Sequence, residues 1–137
     1  MSYLLDTNAC IALINDAPAS VRSRFQKTSR SGALIYVSVV VTFELWYGVA
    51  KSARRALNVQ RLETFLSGPV MMLPFDDEDS RVAGSIRAVL EVSGKPIGAY
   101  DLLIAGQALA RQLTLVTANV SEFSRVKGLS WQDWAKP

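Results

Sequence analysis

The chain has 137 residues, half of them hydrophobic and a fifth charged, with 15 Lys and Arg against 12 Asp and Glu. That length fits one domain spanning 1–137, and that apolar content supports a buried core rather than disorder. Histidine is absent and Cys10 is the only cysteine, which excludes imidazole bases, Ser-His triads, His-ligated zinc, intrachain disulfides and cysteine metal clusters.

Catalysis, if any, must therefore run on carboxylates, hydroxyls, amides, Lys or Arg. No apolar stretch reaches the roughly 18 residues that span a bilayer. The N-terminus lacks the basic region, apolar run and cleavage site of a secretory signal. The expectation is a cytoplasmic protein with no membrane partner. The net charge of +3 gains meaning only if the acids gather in one pocket and leave the remaining surface more basic.

Tyr3 to Leu5 reads as a short buried strand, and 9–16 as a helix with apolar residues at 10, 11, 13 and 14. Cys10 is a small core residue of that helix. Pro18 opens a second helix, in which Val21 and Phe25 share a face. "LIYVSVVV", 34–41, is the clearest strand because β-branched residues dominate it. Thr42 is placed to cap the next helix, 43–58, and a further helix covers 59–68 with Leu62, Phe65 and Leu66 inward. A third strand spans 70–75. Asp76 with Asp79 is a capping pattern for a long helix over 77–94. A loop at 94–98 leads to a helix over 99–112 with a small-residue face at 102, 105, 106 and 109. A fourth strand spans 113–117, and 128–134 adds a short last one.

Strands alternating with helices imply a parallel sheet covered on both faces. Open sheets of this kind place their sites at the carboxyl ends of the strands. Asp6 lies at such an end, and so does Thr117, just before Asn119 and Glu122. Glu44 follows the second strand by one helical turn, and Asp101 sits in the first turn of a helix. Singly, each acid has a plain structural reading as a cap, a dipole partner or a solvated side chain. Glu44 is the least comfortable, because Val41, Phe43, Leu45, Trp46 and Val49 leave it little exposed arc. Together, three carboxylates at one rim repel by about 1 kcal/mol per pair at 4 Å even in water. Protonation, a basic partner or a divalent cation must offset that. Oxygen ligands without His or Cys suit Mg2+ or Mn2+. Such ions serve phosphoryl transfer and phosphodiester hydrolysis.

Four stretches in order carry a resemblance: "YLLDTNACIALI" at 3–14, "VSVVVTFELWYGVAKS" at 37–52, "IGAYDLLIAGQALARQLTLVTANVSEFSRVKGL" at 97–129, and the closing "SWQDW". The sequence resembles the PIN-domain family and, within it, the VapC-type toxins of bacterial toxin–antitoxin pairs. The resemblance implies a three-layer α/β/α sandwich around a central, mainly parallel sheet of four to five strands. It also implies a Mg2+-dependent endoribonuclease, with Mn2+ as a substitute, cleaving RNA (here read as transfer RNA) through metal-activated water. The expected products are a 3′-hydroxyl and a 5′-phosphate. Asp6, Glu44 and Asp101 take the roles of catalytic acids and metal ligands, and either Asp101 or Glu122 orients or deprotonates the water. Many PIN domains carry a fourth acid where this chain has Asn119, with Glu122 three residues on to restore the charge. Thr7, Asn8 and Thr117 are expected to tune Asp6 or hold water. A cognate VapB-type antitoxin, docked in a groove near the acids and able to place an Arg or Lys among them, is the implied inhibitor. A homodimer, alone or in a heteromer with the antitoxin, is the implied assembly.

Weaker signals accompany these. Arg22, Arg24, Lys27 and Arg30 form one basic run, and Lys51, Arg54, Arg55 and Arg61 another. Either is a solvated helix face or a set of phosphate contacts. "DDED", 76–79, reads as helix capping rather than a metal site. Trp46 and Tyr47 could stack on bases or on an antitoxin, but their spacing with Phe43 and Ala50 reads as core packing or a dimer face. The alternative function is a non-catalytic PIN-fold module that binds RNA or a partner, which the departure at Asn119 favours. A phosphatase with an aspartate nucleophile ranks below both, because it wants a second acid where Asn8 stands.

Overall fold

The structure, a computed structural model, describes residues 1–136. Pro137, the end of the expected domain span, lies outside them. The elements run β1 (Ser2–Leu5), α1 (Thr7–Asn15), α2 (Ala19–Arg30), β2 (Leu34–Ser38), α3 (Val39–Ala50), α4 (Arg55–Leu66), β3 (Met71–Leu73), α5 (Asp77–Val92), α6 (Ala99–Ala110), β4 (Thr114–Val116), α7 (Val120–Phe123) and β5 (Trp131–Gln132). Among the described residues the strands form one sheet in the order β3-β2-β1-β4-β5, every pair parallel. The central strands β1, β2 and β4 contribute the fully buried Leu4, Leu5, Val37, Leu115 and Val116. Such continuous apolar runs are what a sheet covered on both faces requires. The α/β sandwich with a parallel sheet is thus the expected one.

Two boundaries differ in ways that matter for the site. The strand read as 34–41 ends at Ser38, whose hydroxyl accepts the Val40 N–H at 3.1 Å and starts α3. Val39, Val40 and Val41 therefore enter a helix despite their β-branched preference, because the chain must leave the sheet and cross to the next strand. Thr42 is consequently not a cap; its hydroxyl donates to the Val39 carbonyl at 3.0 Å inside α3. The helix expected over 43–58 breaks between Ala50 and Arg55, where a turn separates α3 from α4. The third and last strands shrink from 70–75 and 128–134 to Met71–Leu73 and Trp131–Gln132.

Trp46 and Tyr47 are exposed, so the core half of their expected reading falls. Phe43 is exposed as well, which leaves Glu44 half-buried rather than enclosed by its neighbours. The Asp76–Asp79 pair forms the expected capping box, with Asp79 accepting the Asp76 N–H at 2.9 Å and Asp76 accepting the Asp79 N–H at 3.1 Å.

α5 and α6 pack as an antiparallel hairpin. At their crossing a Cβ on Gly106 would lie 2.5 Å from the Ala83 Cβ, so only glycine permits this approach. Farther along the hairpin, Arg111 donates to both oxygens of the fully buried Asp79, each at 3.2 Å. These contacts fix α6, and with it the helix end that carries Asp101.

Candidate active site

Asp6 directly follows β1, and Thr117 directly follows β4, its neighbour in the sheet. The Asp6 N–H donates to the Val116 carbonyl at 3.1 Å. From this boundary β2 and β3 lie to one side and β5 to the other. It is therefore the switch point at which open parallel sheets leave a crevice.

Asp6 caps α1 by accepting the Ala9 N–H at 2.8 Å. Burial lifts its carboxyl above the ordinary range. The Thr117 hydroxyl and the Ala9 N–H pull it back, and the negative charges of Glu44 and Asp133 add to the rise. The Thr117 hydroxyl also accepts the Asn119 N–H at 2.9 Å, which ties the end of β4 to the segment carrying Glu122. Glu44 sits in the second turn of α3, where the Thr7 hydroxyl donates to its Oε1 at 2.7 Å. Thr7 thus serves Glu44 rather than Asp6. Asn8 is exposed and lines a cavity of about 240 Å3 together with Thr117 and Asp133.

Asp101, in the first turn of α6, is pushed up to about 7 by burial, by a hydrogen bond shared with Glu122, and by the charges of Glu122, Asp6 and Glu44. Glu122 moves the opposite way, held below the usual carboxyl range by hydrogen bonds from Asp101 and Asn119. The pair therefore shares one proton near neutrality, carried on Asp101. The Asn119 side-chain amide donates to Glu122 Oε2 at 2.5 Å and reaches Asp101 Oδ2 at 3.5 Å. Position 119 acts as a donor here, and the fourth negative charge belongs to Glu122.

Asp6, Glu44, Asp101 and Glu122 thus come from four separate segments to within electrostatic reach of one another. Among the described residues none forms an ion pair with Lys or Arg. Nor do three acids close to ligating distance around a single point there. The donor chemistry, four carboxylates with no ion-pair partner whose repulsion is eased by hydrogen bonds and one shared proton, fits a hard divalent cation in an open arrangement.

One contributor escaped the sequence reading. Asp133 follows β5, whose Gln132 carbonyl accepts the Thr117 N–H at 2.9 Å, and its charge is felt at Asp6. The signal was present in "SWQDW": a strand ending at 132 puts the next acid on the same rim. The first basic run is partly engaged in structural contacts, with Arg22 paired to Asp16 at 2.6 Å and Arg24 bonded to Gln132 at 3.3 Å.

The profile of the PIN domain matches residues 3–129. The chain belongs to the PIN-domain family. It is 40% identical over 135 residues to the tRNA(fMet)-specific endonuclease VapC of Shigella flexneri, covering 98% of this chain and 99% of that protein. It is 38% identical over 136 residues to the ribonuclease VapC2 of Rickettsia felis, covering 99% and 100%. Among solved structures, VapBC2 of Rickettsia felis bound to a promoter DNA fragment matches with a TM-score of 0.90 at 36% identity, over 96% of this chain and 98% of that one. DNA-bound VapBC of Salmonella typhimurium matches at 0.89 and 36%, over 98% of each. The PIN resemblance carried by the four motifs is borne out, and with it the fold. Among the described residues no helix is long and apolar enough to cross a membrane.

Proposed function

We propose that this PIN domain, one unit over 1–137, is the toxin of a toxin–antitoxin pair and a Mg2+-dependent endoribonuclease acting on transfer RNA. The observation that carries the reading is the convergence of four carboxylates, unpaired by any described cation, at the β1–β4 switch point. The two-way coverage by VapC relatives, one of them named for tRNA(fMet), supports the substrate class.

Asp6, Glu44 and Asp101 would hold the divalent ion, Mg2+ or Mn2+, which when bound offsets phosphate charge and acidifies an attacking water. The chain's own residues do the rest. Thr117 and the Ala9 N–H fix Asp6, and Thr7 fixes Glu44. Glu122, held anionic by the Asn119 amide, accepts the proton of the attacking water at its carboxylate. The water oxygen bonds to phosphorus, the P–O3′ bond breaks, and the leaving 3′-oxygen takes a proton from solvent to become a hydroxyl.

The antitoxin has a path to this site. A cavity of about 290 Å3, lined by residues of α1, α3 and α4, includes Glu44, and one of about 440 Å3 shares Ile14 and Arg61 with it. An apolar segment seated along both reaches the acids, where a terminal Arg or Lys neutralises them.

The test is cleavage of a transfer RNA pool with Mg2+ or with chelator, read by sequencing new 5′ ends. Asp6→Asn and Asp101→Asn are expected to lower cleavage by roughly a thousandfold or more while the proteins stay folded. Wild-type protein that binds RNA without cutting it at any Mg2+ concentration would instead establish the binding-module alternative, which Asn119 favours.

A further inference from the structure

The cavity of about 240 Å3 that Asn8, Thr117 and Asp133 share lies between the start of α1 and the ends of β4 and β5. Three of its lining residues bear on Asp6. The Ala9 N–H and the Thr117 hydroxyl donate to that carboxylate, and the charge of Asp133 is felt there. The cavity therefore adjoins the acid site. Buried Val116 and Trp134 line it on the inside, and exposed Ile11 and Pro18 line it toward solvent. Apolar walls with a few polar groups are the make-up of a small-ligand site. The volume is below the roughly 300 Å3 at which drug-sized pockets begin, and suits a single ring system.

The polar groups choose the occupant. Among the described residues no Lys or Arg lines the cavity and one carboxylate does, which turns a phosphate away and admits a neutral ring. Thr117 is already engaged, since its hydroxyl donates to Asp6 and accepts the Asn119 N–H. Asp133 Oδ1 accepts the Ala135 N–H at 2.9 Å. Its Oδ2 and the exposed Asn8 amide make no hydrogen bond among the described residues. A carboxylate oxygen only accepts, whereas an amide donates and accepts. Adenine, cytosine and guanine each offer an exocyclic amine to such an acceptor. Uracil instead has carbonyl oxygens on both sides of its ring N–H, and a carboxylate repels them. Unstacked bases of single-stranded RNA are read in this way, with the ring against apolar side chains and its edge hydrogen-bonded.

We propose that this cavity seats an unstacked nucleobase bearing an exocyclic amine, from the nucleotide that flanks the scissile phosphate, with Asp133 accepting from the amine and Asn8 bonding the ring edge. Asp133 and Asn8 are then specificity residues that touch the substrate beside the acids. The place of the base next to the cut rests on the nuclease reading; the seating of the base does not.

Uncharged nucleosides test the seat without metal or phosphate. Adenosine, cytidine and uridine are titrated into the protein, and binding is followed by the NMR resonance of the indole N–H of Trp134, a lining residue. Wild type should bind adenosine and cytidine about tenfold more tightly than uridine. In Asp133→Asn the oxygen that takes the Ala135 N–H stays and the free atom becomes an N–H donor, so the ranking should reverse in favour of uridine. Asn8→Ala, at an exposed position, should weaken all three by about fivefold. Cleavage of a random RNA pool with Mg2+, read at the new 5′ ends, then places the base. Amino bases should be enriched immediately beside the cut, and Asp133→Asn should shift that position to uracil. Equal binding of the three nucleosides by wild type, or an unchanged ranking in Asp133→Asn, overturns the seat. A reversed ranking with no base preference beside the cut overturns its place next to the scissile phosphate. Absence of cleavage with the reversal intact faults the nuclease reading and not the seat. A protein that ignores nucleosides, but whose Trp134 resonance responds to an arginine-containing peptide, assigns the cavity to a protein side chain and overturns the proposal.

Discussion

Asn119 and Glu122 stand one helical turn apart, and the amide of the first donates to the carboxylate of the second at 2.5 Å. Replacing the donor by an acid turns this attraction into repulsion among five carboxylates. Asn119→Asp is expected to lower metal-free thermal stability, by roughly 1 kcal/mol for one added like-charge contact. It should also enlarge the stabilisation by Mg2+. Melting curves with chelator and across a Mg2+ series measure both. A metal-free melting temperature at or above that of wild type would contradict the donor role of Asn119.

Stability without metal should respond to pH in an unusual sense. Asp101 titrates at about 7 in the fold against 3.8 in its ordinary state. Between those values the folded chain holds a proton that the unfolded chain has released. Stability therefore rises as pH falls through 7 and the gain is complete near 4. Asp6, also raised, adds in the same direction, while Glu122 and Asp76, both lowered, oppose it as their own pKa values are approached. Chelated protein is expected to melt higher at pH 6 than at pH 8, and the difference should shrink in Asp101→Asn. A flat profile over that interval counts against the shared proton.

Arg111 is the partner of a carboxylate with no access to water. Asp79 is 1% exposed in its side chain and Arg111 is 32% exposed. Arg111→Met would strand that charge and is expected to cost about 2 kcal/mol, below the 3–5 of a fully buried pair because solvent already screens the guanidinium. Urea unfolding measures it. Asp79→Asn in the same background should recover part of the loss.

Gly106→Ala places a methyl against Ala83 and should cost about 1–3 kcal/mol through overpacking. Ala83→Gly is expected to relieve the clash in the double variant. The single variant should also weaken cleavage, since α6 carries Asp101 at its other end. Equal stability of Gly106→Ala and wild type would refute the close approach.

The legible part of the fold was whatever rests on local chemistry. Asp6 and Asp101 could be placed because a carboxylate after an apolar strand, or in a helix's first turn, has few other addresses. The Asp76–Asp79 box is a three-residue pattern and was read as it stands. Ser38 was missed because Val39, Val40 and Val41 favour a strand locally, and only the need to cross to β3 turns them into a helix. The exposure of Trp46 and Tyr47 was illegible for a different reason: periodicity shows that residues share a face, not whether that face meets the core or water. The Arg111–Asp79 pair joins residues 32 apart and has no local signature. The same holds for the Thr7–Glu44 bond across 37 residues, which corrected the role of Thr7.

The order in which the pocket's parts occur along the chain has a consequence for synthesis. Asp6 follows β1, whereas Thr117 and Glu122 follow β4, more than a hundred residues later along the chain. A nascent polypeptide that has not yet reached β4 already carries Asp6 and Glu44 but lacks Glu122 and the neighbouring strand that walls Asp6 in. Whatever this pocket does to nucleic acid, it cannot begin until β4 and the segment carrying Glu122 have been synthesised.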